Sequence, residues 1–307
     1  MGKFRQQNAA QGAVQGRAQP AAGLNYRFLV SYDGTRYLGW EHQPNTDMTI
    51  QGKLETVLTR MLEEESSPDA GQSDAGIPAA AAADAPGRSG SRSAAQTKPV
   101  TVIGAGRTDA GVHARAMTAN AWLTTRRTPL EIRQYMNRYL PDDISVNDVA
   151  QAADRFHSRY NASGKIYRYT LWFDPAGSGP VFDRRYVTVL KPEAGMPDLA
   201  RMRAAAEHLT GEHDFRSFCG NSHMKKSTVR TVDSIRIEDS GHYIRIYCRG
   251  DGFLQNMVRI LCGTLLEVGY GRLAPEDMDR ILEARDRRQA GPTLPPQGLC
   301  LMKVEYN

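Results

Sequence analysis

Hydrophobic positions change period several times along the chain, and each change predicts an element. In NYRFLVSYD, Tyr26, Phe28, Val30 and Tyr32 take every second position before the turn residues Asp33 and Gly34, the spacing of a strand with one buried face. Ile50, Leu54, Val57, Leu58, Met61 and Leu62 then recur at helical spacing, so TIQGKLETVLTRML predicts an amphipathic helix packed on that strand's sheet. TPLEIRQYM opens a second helix, with Thr128 and Glu131 spaced as a capping box and Pro129 at the first helical position. KIYRYTLWF returns to period two, placing Tyr167, Tyr169 and Leu171 on one face and Arg168 and Trp172 on the other. VDSIRIEDSGHYIRIYCRG predicts two strands joined as a hairpin through Asp239, Ser240 and Gly241. FLQNMVRILCGTLLEV predicts a helix that is apolar nearly all round and so buried between layers.

Two stretches carry no such pattern. Residues 1–23 are mostly Gln, Ala and Gly, and residues 63–99 are rich in Ala, Gly, Ser and Pro; the first predicts a disordered tail and the second a disordered insertion. Between and after them, strands and helices interleave with hairpins, which points to an α+β class with mainly antiparallel, mixed sheets flanked by helices. The expected organisation is an N-terminal subdomain over residues 24–145 and a C-terminal subdomain over 146–307. No sequence repeat recurs at a fixed period.

Composition narrows this only a little. The 307 residues suffice for one large or two ordinary domains. The mean hydropathy of −0.51 owes much to the two patternless stretches. A net charge of +5 and a pI near 9.0 suit a polyanionic partner without requiring one. Cys219, Cys248, Cys262 and Cys300 show neither C-x-x-C spacing nor a companion histidine pattern, so zinc and a disulfide framework are not expected. No apolar run reaches membrane-spanning length, and no apolar signal segment opens the chain. The expectation is a cytoplasmic protein with reduced thiols.

The segment GAGRTDAGVHA, residues 104–114, crowds glycines, Arg107, Asp109 and His113 together. It is not a dinucleotide fingerprint, because Asp109 stands where the third glycine belongs, and it is not a phosphate-binding P-loop, because no G-K-[ST] closes it. A carboxylate in a tight loop remains, and for an isolated D-A-G a turn aspartate bonded to backbone amides would be the ordinary reading. Arg259 supplies a second anomaly: a charge on a helix that is otherwise apolar asks for a carboxylate partner. Tyr167 and Tyr169 alone would be sheet-core aromatics. His113 and His213 read as hydrogen-bonded structural histidines, and the pairs Arg126-Arg127, Arg184-Arg185 and Lys225-Lys226 as solvated faces.

GRTDAGVHA closely resembles the signature of the TruA family of tRNA pseudouridine synthases, and YDGTRYLGW, TIQGKLE, KIYRYTLW, DFRSFC, GDGFLQNMVRILCGTLLEVGYG and AGPTLPPQGLCL resemble other segments of that family in the same order. The resemblance covers nearly everything outside residues 1–23 and 63–99. It implies a pseudouridine synthase fold of two α/β subdomains around a central catalytic cleft. It also implies isomerisation of uridine to pseudouridine in the tRNA anticodon stem-loop, at positions 38, 39 and 40, by a homodimer that needs neither cofactor nor metal. By the same resemblance Asp109 is the nucleophile, Arg259 its ion-pair partner, Tyr167 the aromatic packed against the target base, and Arg107 a residue near the vacated base position. With tRNA as partner, some of Arg126, Arg127, Lys225 and Lys226 become phosphate contacts. Three positions depart from the family pattern: Glu41 for glutamine, Gln255 for tyrosine and Leu294 for alanine. Other readings are a non-catalytic RNA-binding protein on the same fold, the same chemistry on another RNA, and a nucleoside hydrolase, which would need a second acid that the loop lacks.

Overall fold

The computed structural model describes residues 23–67, 99–221 and 223–307. The tail reading, for residues 1–22, and most of the insertion reading, for residues 68–98, fall outside them. The strands are β1 (Leu24–Tyr32), β2 (Ile103–Gly104), β3 (His113–Leu123), β4 (Ile144–Gln151), β5 (Ala162–Trp172), β6 (Thr188–Val189), β7 (Gly211–Asp214), β8 (Val229–Ser240), β9 (Tyr243–Gly250) and β10 (Leu299–Tyr306). The α-helices are α1 (Ile50–Ser66), α2 (Pro129–Tyr139), α3 (Leu199–His208), α4 (Met257–Gly269) and α5 (Asp277–Ala284). All ten strands form one sheet in the order β4-β1-β3-β10-β5-β9-β8-β7, with β2 beside β3 and β6 beside β5. Only the β3–β10 and β5–β6 pairs are parallel, so the mixed, mainly antiparallel α+β architecture is as the alternating segments predict.

The alternation in β1 buries Tyr26, Phe28, Val30 and Tyr32 under α1, whose Ile50, Leu54, Val57, Leu58 and Met61 are buried in turn. The capping box of α2 forms as its sequence requires: Glu131 N–H donates to the Thr128 hydroxyl, and Thr128 N–H donates to the Glu131 carboxylate at 2.7 Å. β10 stitches the two halves together, running parallel to β3 (Cys300 opposite His113) and antiparallel to β5 (Leu301 opposite Tyr167). The halves therefore share one continuous sheet, and the residues nearest the seam come from both.

Four boundaries differ from the periodicity. α1 continues one turn into the segment read as insertion, because Glu65 ties its end to the loop before α2, accepting from Thr125 Oγ1 (2.6 Å), Arg126 N (3.1 Å) and Arg127 Nε (2.9 Å). β4 runs across residue 145 and pairs with β1, so the N-terminal sheet extends to Gln151. The β8–β9 hairpin turns at Gly241 and His242, since Ser240 still pairs with Tyr243. α4 starts at Met257 rather than Phe253, because Asn256 takes a left-handed conformation with φ of 59°. The helix is otherwise as its composition demands: every residue is buried except Arg259 and Glu267, which are half-buried.

Candidate active site

A cleft of about 560 Å³ opens on the face of the sheet that carries Tyr167, lined among others by Arg107, Asp109, Lys165, Tyr167, Phe253 and Asn256. Asp109 stands on the loop between β2 and β3, and the 32–40 segment clamps that loop from one side. Trp40 N–H donates to Thr108 O at 3.1 Å, Gly111 N–H to Tyr37 O at 3.2 Å, and the hydroxyls of Tyr32 and Thr108 share a hydrogen bond at 2.8 Å. The loop turns back on itself through Val112 N–H, which donates to Asp109 O at 3.1 Å, and the turn needs Gly111, whose φ is +77°. These contacts aim the Asp109 side chain into the cleft, where about a third of it (34%) stays exposed and reachable.

The carboxylate that the apolar helix asked for is Asp109. Arg259, on the first turn of α4, is held by three partners: its Nε donates to Leu294 O at 2.6 Å, its Nη1 donates to Asn256 Oδ1 at 2.8 Å, and the same Nη1 lies 3.5 Å from Asp109 Oδ2. The last contact is an ion pair too long for a good hydrogen bond, so the carboxylate is oriented without being consumed. A further link stabilises the Leu294 carbonyl: the Tyr169 hydroxyl donates to Pro295 O at 2.7 Å, fixing the loop between α5 and β10. It is the backbone carbonyl of residue 294 that grips Arg259, so this contact does not depend on the side chain at that position.

Tyr167 is buried against the cleft floor, edge-on to Phe253 with ring centroids 5.4 Å apart and planes at 86°. Burial, and next the negative charge of Asp109, raise its phenol far above the ordinary tyrosine range, so it remains a neutral donor across all working pH. Arg107 lines the cleft paired to the Glu41 carboxylate, with 63% and 46% of the two side chains exposed. Of the four outer basic residues, Lys226 lines the cleft, whereas Arg126, Arg127 and Lys225 do not. Arg127 is half-buried between Glu65 and the Tyr135 ring, 5.0 Å from its centroid. His113 is a structural histidine, as its isolation suggested. Its Nδ1 accepts from Gly34 N–H at 3.0 Å, its Nε2 donates to Arg185 O at 3.0 Å, and burial lowers its basicity.

Sequence reasoning missed Lys165, Asn256, Arg159 and Arg230, all of which line the same cleft. Lys165 carried a readable signal: it shares the period-two face of Tyr167 and Tyr169, where a lysine is out of place. Among the described residues no group of three or more His, Cys, Asp or Glu could hold a metal ion, and no helix is long and apolar enough to cross a membrane.

Known proteins resemble this chain over most of its length. The sequence family described as tRNA pseudouridine synthase matches residues 29–161 and 205–307. The tRNA pseudouridine synthase A of Bacillus sp. (strain KSM-64) is 41% identical over 267 residues, which cover 87% of this chain and 93% of that protein. Those of Geobacter sulfurreducens and Syntrophotalea carbinolica are 39% and 38% identical, each covering 91% of this chain and 98% and 95% of their own lengths. The chain belongs to the tRNA pseudouridine synthase family, isomerases that act on tRNA.

Proposed function

We propose that this enzyme isomerises uridine to pseudouridine at positions 38, 39 and 40 of the tRNA anticodon stem-loop, with Asp109 as the nucleophile. The observation that carries the reading is the carboxylate of Asp109 held open in a cleft by Arg259, directly beside the buried ring of Tyr167. In the reaction the N1–C1′ bond of the nucleotide breaks, the base turns, and a C5–C1′ bond forms while the C5 hydrogen leaves as a proton and N1 gains one. No electron is gained or lost overall, so the residues need only supply a nucleophile, a proton path and a stacking surface. Asp109 supplies the first, and Tyr167, neutral and facing the cleft, suits the other two. Arg107 would stack on or grip the strand vacated by the rotating base, and Arg126, Lys225 and Lys226 would meet phosphates nearer the rim and beyond it.

The same proposal includes a homodimer working in the cytoplasm. Support comes from the sheet face opposite Tyr167, where Arg115, Arg168 and Arg245 line a second cavity of about 580 Å³ beside Asp142 and Asp183. The Arg168 Nε is buried there with no hydrogen-bond partner. Beside this face Phe182 is 94% and Val181 68% exposed. Basic and acidic groups side by side with exposed apolar residues suit a two-fold, self-complementary contact between copies.

Tritium release tests the chemistry. Wild-type protein should release label from unmodified tRNA transcripts carrying tritium at uridine C5, and Asp109→Asn, nearly isosteric, should release none while still binding the transcript. Binding without release by the wild type would sink the isomerase reading.

A further inference from the structure

Lys165 is a cleft group whose environment the chemistry above leaves unexplained. It lies on β5 two residues before Tyr167 and on the same face, about 7 Å along the strand. Its amine makes no hydrogen bond or ion pair among the described residues, yet it is half-buried and packs over the catalytic loop, 3.0 Å from where a Cβ on Gly106 would stand. Glycine at 106 is what leaves room for it. The charges facing it are Arg159, just before β5, Arg230 on β8 and Asp251 after β9, so three cations meet one carboxylate. Arg159 is set in place by its neighbour Ser158, whose N–H donates to Asn120 Oδ1 at 2.9 Å and whose hydroxyl donates to Ile103 O at 2.5 Å.

A desolvated ammonium beside two guanidinium groups is costly, and it is retained where a ligand brings the missing negative charge. A uracil edge is neutral and cannot supply it; a phosphodiester can. We propose that Lys165, with Arg159 and Arg230, forms the subsite for the RNA phosphate that flanks the target uridine, anchoring the strand while the base lies on Tyr167. The proposal rests on the tRNA reading above and names the residues that seat the backbone at the reacting nucleotide. Burial, then repulsion from Arg159 and Arg230, lowers the Lys165 amine to about 8 in the free protein, and a bound phosphate would return it upward. Below pH about 8 the amine is charged both free and bound, and affinity is flat. Above it, binding takes up a proton, so affinity falls as pH rises, by up to about tenfold per pH step. Arg107, Asp109, Glu41 and Lys226 also line the cleft, and subtracting a variant's profile removes their contributions.

The test measures binding of an unmodified tRNA transcript to the full chain as wild type, Lys165→Met and Lys165→Arg, over a salt series and from about pH 6 to about pH 10. Lys165→Met should lose the alkaline fall in affinity and reduce the slope of log affinity against log salt by about one, while Lys165→Arg keeps the slope. Lys165→Met should also melt at a higher temperature than wild type at pH 7, since the fold no longer buries an amine it disfavours as a charge; this shows that lost affinity is not lost folding. An unchanged salt slope and pH profile in Lys165→Met would overturn the proposal. So would a fall in turnover alone, which would place the amine on the base. Failure of the wild type to release tritium would overturn the isomerase reading instead, because the salt slope reports the phosphate contact without turnover.

Discussion

Arg107 is already paired when substrate arrives, and the partner is the residue that departs from the family pattern. Its guanidinium is held by Glu41, and both side chains are largely in solvent. An exposed pair of this kind is worth about 0 to 1 kcal/mol, so RNA has only a modest competitor to displace. Glu41→Gln should therefore lower KM for tRNA by up to about fivefold at low salt, with kcat little changed, and the two proteins should converge as screening rises. Steady-state tritium release across a salt series checks it; equal KM values at low salt would mean that Arg107 does not need freeing. At this scale much was legible in the sequence. Arg259 is legible because a charge on an apolar helix demands a carboxylate partner, whereas Asp109 is legible only through its family-like loop, and the two lie 3.5 Å apart. For Lys165 the sequence shows only a lysine on a strand face of aromatics; that Arg159, Arg230 and Gly106 converge on it is a tertiary fact that nothing local announces.

The start of α4 is the element on which the site turns. Asn256 adopts φ of 59° at its N-cap and gives its side-chain oxygen to Arg259 rather than to the helix backbone. Asparagine tolerates this region better than other side-chain-bearing residues, and such strain at a functional site is worth about 1 to 3 kcal/mol. Asn256→Ala should lose stability of that order in urea unfolding and should also lose turnover, as Arg259 slackens. Asn256→Gly should recover the stability without the turnover. Recovery of both by glycine would show that the Arg259 contact is dispensable. Sequence periodicity could not place this start, because Phe253 and Leu254 continue the apolar pattern of the helix, and the break lies in the left-handed backbone of Asn256. The α2 start, by contrast, was legible to the residue, since a capping box is a purely local device. The end of α1 was not, because Glu65 is held by Thr125 and Arg127, far away in sequence.

On the scale of the whole molecule, the arginine-lined cavity opposite Tyr167 and the exposed Phe182 beside it make an association prediction. Phe182→Glu should leave the fold and the cleft intact but shift the proposed dimer to monomer in light scattering at micromolar concentration, because it places a desolvated charge at the proposed contact. A dimer unchanged by the substitution would move the interface elsewhere.

β10 adds a consequence in time. Asp109 belongs to the N-terminal half, Tyr167 and Arg259 to the C-terminal half, and the strand between them must pair with both β3 and β5 and reach the Ser158 loop, 148 positions away, to which the Tyr306 hydroxyl donates at 2.6 Å. Pairings of that sequence separation close slowly, whereas hairpins such as β8–β9 and helices such as α2 form from local contacts. Each half can gather its own structure early, but the proposed nucleophile meets its arginine and its aromatic floor only when the seam closes. In a refolding time course, secondary structure should return first and tritium release last, making catalysis the clock that records when the seam has shut.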